Sequence, residues 1–250
     1  MPAALAFYAL IPAVYYGALH AKRVNPLHQI FVYDLGGITH FSGENQFPVS
    51  WSAEETAMLT SRCYDPVRWD GYWHVPPCPF VMRRLERPDD PIFGTARLSQ
   101  AWRTALMMHP IAYLQHRASF MWNFLARPNL VLPYLDWEGP RAIYGSNPYF
   151  RPLLALHDKL ERTLLFRPGL WLLLAMTVMA AAWPARAIPL GAFAVGISAC
   201  AIVYLMTFGA VGVASDFRYG YWAVLATLAA AIAAVAAWRD RRRKAGDAPA

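Results

Sequence analysis

At 250 residues, the chain is 57% hydrophobic and only 16% charged, a balance that excludes an ordinary soluble domain. A net charge of +7 would suit a nucleic-acid binder, but much of the excess sits in one run, Arg239-Asp-Arg-Arg-Arg-Lys244, directly behind an apolar stretch. There it reads as a topology signal held on the cytoplasmic side, with unspecific contact to anionic lipid and no role toward nucleic acid.

In chain order, the apolar segment Pro2 to Leu19 comes first. It lacks the Lys/Arg n-region and the small-residue cleavage site of a secretory signal, and it carries Pro12, Tyr15 and Tyr16. We expect a retained transmembrane helix over residues 1–20, a cleaved segment being the alternative.

Residues 21–167 are polar enough to fold in water, and we expect a mainly helical domain with interfacial helices. Ser52-Ala-Glu-Glu55 is a capping box opening a helix that should stop before Asp65-Pro66. Leu98, Ala101, Trp102, Ala105 and Leu106 trace one helix face that ends at His109-Pro110. Pro110 then suits the first turn of a new helix, whose expected packing face is Ile111, Leu114, Ala118, Met121, Trp122 and Leu125. A third pattern, Leu153, Leu156, Leu160 and Leu164, has Asp158, Lys159, Glu161 and Arg162 opposite it and reads as interfacial. The stretches 65–91 and 127–152, rich in Pro, Gly and aromatics, read as ordered loops.

From Leu170 to Trp238 the chain is almost continuously apolar, enough for three spans at about 20 residues each. They are Leu170–Trp183, Ala187–Ala214 and Tyr219–Trp238, predicted to form a bundle over residues 168–238 followed by a basic tail, 239–250. The fold class is therefore an all-α integral membrane protein of about four transmembrane helices, with the large helical loop between the first and second. Counting back from a cytoplasmic tail puts the long loop outside. Lys22 and Arg23 after the first helix argue the other way, but the tail carries five positive residues against two.

Cysteine usage supports the same orientation. Cys63 and Cys78 both lie in the loop, while Cys200 is in an apolar run. In an oxidising compartment a Cys63–Cys78 disulfide is expected, and closing such a loop is worth roughly 3 kcal/mol. Two free thiols in a cytosolic loop are the alternative. No short-spaced Cys or His pairs with either one to suggest zinc.

No motif of soluble-enzyme chemistry is present: no G-x-S-x-G, P-loop, G-x-G-x-x-G or H-E-x-x-H. No cofactor is identified. The candidates for chemistry are clusters. Asp34-Leu-Gly-Gly-Ile-Thr-His40, with Glu44 and Asn45, would either line a sugar or pyrophosphate site or be a helix end whose glycines turn. Arg117 would either clamp a lipid phosphate, as a guanidinium can bidentately, or sit on the wet face of its helix. Ser215-Asp216-Phe217-Arg218-Tyr219-Gly-Tyr221, at the outer junction of the last two spans, would either neutralise itself or meet an anionic headgroup inside an aromatic belt.

Phe31-Val-Tyr-Asp34-Leu-Gly-Gly-Ile38, Cys63-Tyr-Asp-Pro66, Trp102 with His109-Pro-Ile-Ala-Tyr-Leu-Gln-His-Arg117, and Asp216-Phe-Arg-Tyr219 follow one another from about residue 30 to the last helix. In that order they resemble the C-terminal part of polytopic bacterial glycosyltransferases of the GT-C type. The resemblance implies an inner-membrane protein that handles a polyprenyl-phosphate-linked sugar on the outer face. It makes Asp34, Arg117, Asp216 and Arg218 the expected substrate or lipid-phosphate contacts, and it allows for a divalent metal. The chain is about half the usual length of such enzymes or less, and no residue matches their catalytic acid. Its apolar start without an n-region fits a chain that begins in mid-protein. Two classes stay open: a lipid-linked sugar transferase, and a membrane-anchored accessory protein whose outer domain binds a partner. A channel or transporter ranks third, since ionisable residues keep to the ends of the spans.

Overall fold

Proline at the first turn starts four of the helices that build this molecule, because its fixed φ suits that position and its missing N–H is not needed there. The computed structural model describes residues 10–11, 13–20, 25–73, 76–127 and 147–246, with the side chains of 13 and 244–246 left aside. Outside the bundle lie α1 (Pro26–Ser42), α2 (Ala53–Ser61), α3 (Phe80–Leu85), α4 (Ala96–Met108), α5 (Pro110–Ala126) and α6 (Phe150–Leu160). The bundle itself is α7 (Pro168–Ala182), α8 (Pro189–Val211) and α9 (Tyr221–Gly246). Among the described residues there is no strand, apart from a single antiparallel bridge between Arg68 and Ala214.

Among the described residues, three helical segments are long and apolar enough to cross a membrane: Pro168–Ala185, Pro189–Val211 and Phe217–Arg243. They coincide with the three spans expected from hydropathy. Their contacts are made by small residues, with Ala175, Ala182, Ala194, Ala201, Ala226 and Ala230 buried between them. Small side chains let backbones approach where lipid leaves no hydrophobic drive between helices. Of the expected helix over 1–20, residues 1–9 and 12 lie outside the described residues; within the rest, Ala13–Ala18 is helical.

One end of the bundle is basic: Arg241 donates to the Pro184 carbonyl at 3.0 Å, and the Trp238 indole donates to Ala181 O at 2.9 Å. At the opposite end Phe166 packs edge-on against Phe217, and the layer formed by α1–α5 docks there through α5. At its centre is α1, whose residues from Val32 through Thr39 are all buried, between α2, α4 and α5.

The capping box forms as expected: Ser52 Oγ accepts the Glu55 N–H at 3.2 Å, and Glu55 accepts the Ser52 N–H at 2.9 Å. The helix ends at Ser61, short of Asp65-Pro66. Cys63 and Cys78 stand at disulfide distance, their Cα atoms 5.6 Å apart.

Three expectations are corrected. The stretch 65–91 is not all loop, since it contains the short turn Asp70–Tyr72 and α3 (Phe80–Leu85), while residues 128–146 of the expected loop 127–152 lie outside the described residues. The Asp34-Leu-Gly-Gly stretch is not a helix end but the middle of α1, which stops at Gly43 in the left-handed conformation (φ 75°). On α5 the predicted face is largely reversed. Ile111, Leu114, Ala118 and Trp122 point outward, Met121 and Leu125 are half-buried against the core, and Ala112, His116, Arg117, Phe120, Asn123 and Phe124 point in. Arg117 is therefore not on a wet face; it is 5% exposed.

Candidate functional site

The glycines of α1 explain how a charged cluster is buried. A Cβ on Gly37 would lie 2.3 Å from the His116 ring, and one on Gly36 would lie 2.3 Å from the Tyr72 ring. Only glycine lets those rings reach the helix backbone. His116 and Arg117 on α5 are thereby brought against Asp34, fully buried one turn earlier on α1.

Asp34 has two hydrogen-bonding partners and one ion-pair partner. Trp102 Nε1 donates to Oδ2 at 2.7 Å, His116 Nε2 lies 3.1 Å from Oδ1, and Arg117 Nη2 stands 2.5 Å from the same oxygen. The arginine contact is an ion pair without hydrogen-bond alignment. A buried carboxylate must be paired in this way, since desolvating it otherwise costs several kcal/mol. His116 Nδ1 sits 3.1 Å from the Tyr64 hydroxyl, so the neutral ring donates from Nε2 and accepts at Nδ1. Burial holds the His116 pKa below the ordinary histidine value, against the upward pull of its hydrogen bond to Asp34. Burial likewise pushes the Tyr64 hydroxyl up to about 12.

This buried layer reaches outward through two contacts. Arg117 Nη1 donates to the Gly212 carbonyl at 2.7 Å, just beyond the end of α8. The neighbouring Tyr33 hydroxyl donates to the Asp65 carbonyl at 3.0 Å. The two segments so anchored, 65–70 and 212–216, are also zipped to each other: Trp69 N–H to Val213 O at 2.9 Å and Ser215 N–H to Val67 O at 2.7 Å.

Between them opens a cleft of about 590 Å³ lined by Asp65, Arg68, Asp70, Asp216, Arg218 and Gln29, among others. A second hollow of about 480 Å³ shares Asp65, Arg68 and Asp70 and continues toward Arg62 and Pro76-Pro77. Arg218 grips Asp216 Oδ2 through both Nε and Nη2, each at 2.7 Å, yet its side chain stays 46% exposed. Arg68 is freer still, 59% exposed and 3.7 Å from Asp65. Asp216 also accepts the Arg218 N–H at 2.8 Å, which caps the short turn leading into α9.

Compared with protein-family models, curated proteins and solved structures, the chain matches none.

The expected contact residues thus divide. Asp216 and Arg218 line the cleft, whereas Asp34 and Arg117 form the buried pair behind it and do not. Sequence reasoning missed Arg68 and Asp70. The signal available was a charged Arg68-Trp-Asp70 triplet inside a loop bracketed by Cys63 and Cys78. Asp65, Asp70 and Asp216 all border the cleft, but among the described residues no three His, Cys, Asp or Glu side chains converge as a metal site needs, and none is assigned.

Proposed function

We propose that the chain is a multi-pass plasma-membrane protein of GT-C-like character, whose cleft takes the phosphate headgroup of a polyprenyl-linked sugar on the extracytoplasmic face. The observation that carries this reading is the cleft itself: half-exposed guanidinium groups of Arg68 and Arg218 face it at the end of the spanning bundle opposite the basic tail. Guanidinium matches phosphate oxygens in a planar fork, while Asp65 and Asp70 offer acceptors for sugar hydroxyls. The Arg239–Lys244 run favours a cytoplasmic tail, which sets the cleft outside. Asp34 and Arg117 act at one remove, by holding the cleft walls.

The test is binding of a polyprenyl phosphate, against the uncharged polyprenol, to the purified protein in nanodiscs. A charge-assisted contact is worth about 1.5–3 kcal/mol, so Arg218→Ala and Arg68→Ala should each weaken phosphate binding roughly 10- to 100-fold. Arg218→Lys should recover little of it. Equal binding of both lipids by wild type, or no effect of either alanine, rejects the site. Transfer from a labelled lipid-linked sugar then separates an enzyme from a protein that only binds.

A further inference from the structure

Helix α5 buries its charged residues and exposes much of its large apolar surface. Its inner face holds His116, Arg117 and Asn123 beside Ala112, Phe120 and Phe124, and its outer face, Gln115 apart, shows Ile111 at 66%, Leu114 at 59% and Trp122 at 69% exposure. Met107 and Met108, ending α4, extend that apolar surface at 75% and 70%. Globular proteins in water do the reverse, and an exposed apolar band of this kind marks a surface that something apolar covers.

What covers it follows from where α5 is seated. It packs directly on the spanning helices α7 and α8. A Cβ on Gly169, the second residue of α7, would meet the Leu125 carbonyl at 2.6 Å. Met121 lies against Gly209 near the end of α8, and Phe124 stacks on Phe208 at 4.8 Å between ring centroids. The last two turns of α5 therefore stand level with the cleft ends of two spans. Lipid surrounding those ends would continue onto the outward side of Ala118 and Trp122.

We propose that α5 is an interfacial, non-spanning helix whose outer face rests in the leaflet beside the cleft, with bilayer lipid as its occupant. Trp122 then lies at the level where tryptophan favours the membrane–water boundary. The inverted polarity follows: charges turn inward to Asp34 and Gly212 because outside them is hydrocarbon. This seat does not depend on which headgroup enters the cleft.

The test uses Cys200→Ser protein in liposomes, with the Cys63–Cys78 bond intact and single spin-labelled cysteines at 111, 114, 118 and 122. Position 225 on α9 serves as lipid reference and position 54 on α2 as aqueous reference. Collision with oxygen should exceed collision with a water-soluble nickel chelate at 118 and 122, as at 225, with the reverse at 54. Nickel preference at 118 and 122 overturns the proposal, and so does shielding from both probes, which would mean protein covers the face. Unmodified protein gives an independent readout. A photoactivatable phospholipid should leave adducts on the 107–122 peptide as well as on the spans, and adducts on the spans alone would overturn it.

Discussion

Two aspartate–arginine pairs in this protein use the same chemistry in opposite surroundings. Asp34 and Arg117 are buried to 0% and 6% side-chain exposure. In Asp216 and Arg218 the acid is buried to 6% but the guanidinium is 46% open. The inner arginine faces a carboxylate with Nη2 and gives Nη1 to a backbone carbonyl of a neighbouring segment. The outer arginine spends two donors on one carboxylate oxygen and keeps a face toward the cleft. Burial turns one pair into a joint between α1, α5 and the end of α8, and leaves the other available to a ligand.

The sharpest way to break that contrast is to remove one charge from each pair. Asp34→Asn strands a buried guanidinium, which should cost about 3–5 kcal/mol, read as a large drop in the thermal midpoint in detergent or as loss of folded protein. Replacing both partners, Asp34→Leu with Arg117→Met, should cost less than the two single changes added together, because no charge is left uncompensated. Strict additivity would mean the pair is not coupled.

A smaller effect is expected at the glycines that admit the buried cluster. In an ordinary helix interior, Gly→Ala gains roughly 0.5–1 kcal/mol. Gly37→Ala should lose about 1–3 kcal/mol instead, because its methyl would meet a His116 ring that Asp34 and Tyr64 hold in place. Gly196→Ala, with nothing within 4 Å of its Cβ, should be neutral or better. The opposite signs in thermal midpoint would mark α1 as a close-approach helix.

The spans were legible because uninterrupted hydropathy has one physical meaning at that length. The Ser52–Glu55 box and the Cys63–Cys78 pairing were legible because each is a local rule. The face of α5 was not. Periodicity locates an apolar stripe but cannot say whether protein or lipid covers it, and in a membrane protein the stripe at Ile111, Leu114, Ala118 and Trp122 can face outward. Gly36-Gly37 misled for a related reason: two adjacent glycines suit a turn equally well as a helix against which aromatic rings must press. Arg68 and Asp70 went unnoticed because a cleft wall built from a loop and a distant helix end has no sequence period at all.

Acid should reach the inner pair through His116. Its folded pKa lies below the ordinary histidine value of 6.5, so the unfolded chain takes up a proton first as pH falls. The stability held by the neutral ring is complete above that value and is lost as pH drops from it toward the folded pKa. Asp34, Arg117, Tyr64 and His40 are the titratable or charged groups that act on it. The thermal midpoint of wild type should fall more steeply below 6.5 than that of His116→Gln, although the variant starts lower. Parallel curves would assign the acid sensitivity to other groups.

The smallest change in stability is expected at the outer pair, and there it is the informative result. Arg218→Gln removes an ion pair whose guanidinium is nearly half exposed and screened by water, so the midpoint should move by no more than about 1 kcal/mol equivalent. Asp216 keeps its bond to the backbone N–H of residue 218 in that variant, so the turn into α9 stays capped. If the cleft takes a phosphate, the same substitution should still cost roughly tenfold or more in polyprenyl-phosphate binding. A large binding loss beside a small stability loss separates Arg218 from Arg117, whose removal should lower both. Should Arg218→Gln instead destabilise the protein as much as Asp34→Asn, the outer pair is a structural joint as well, and the contrast between the two pairs disappears.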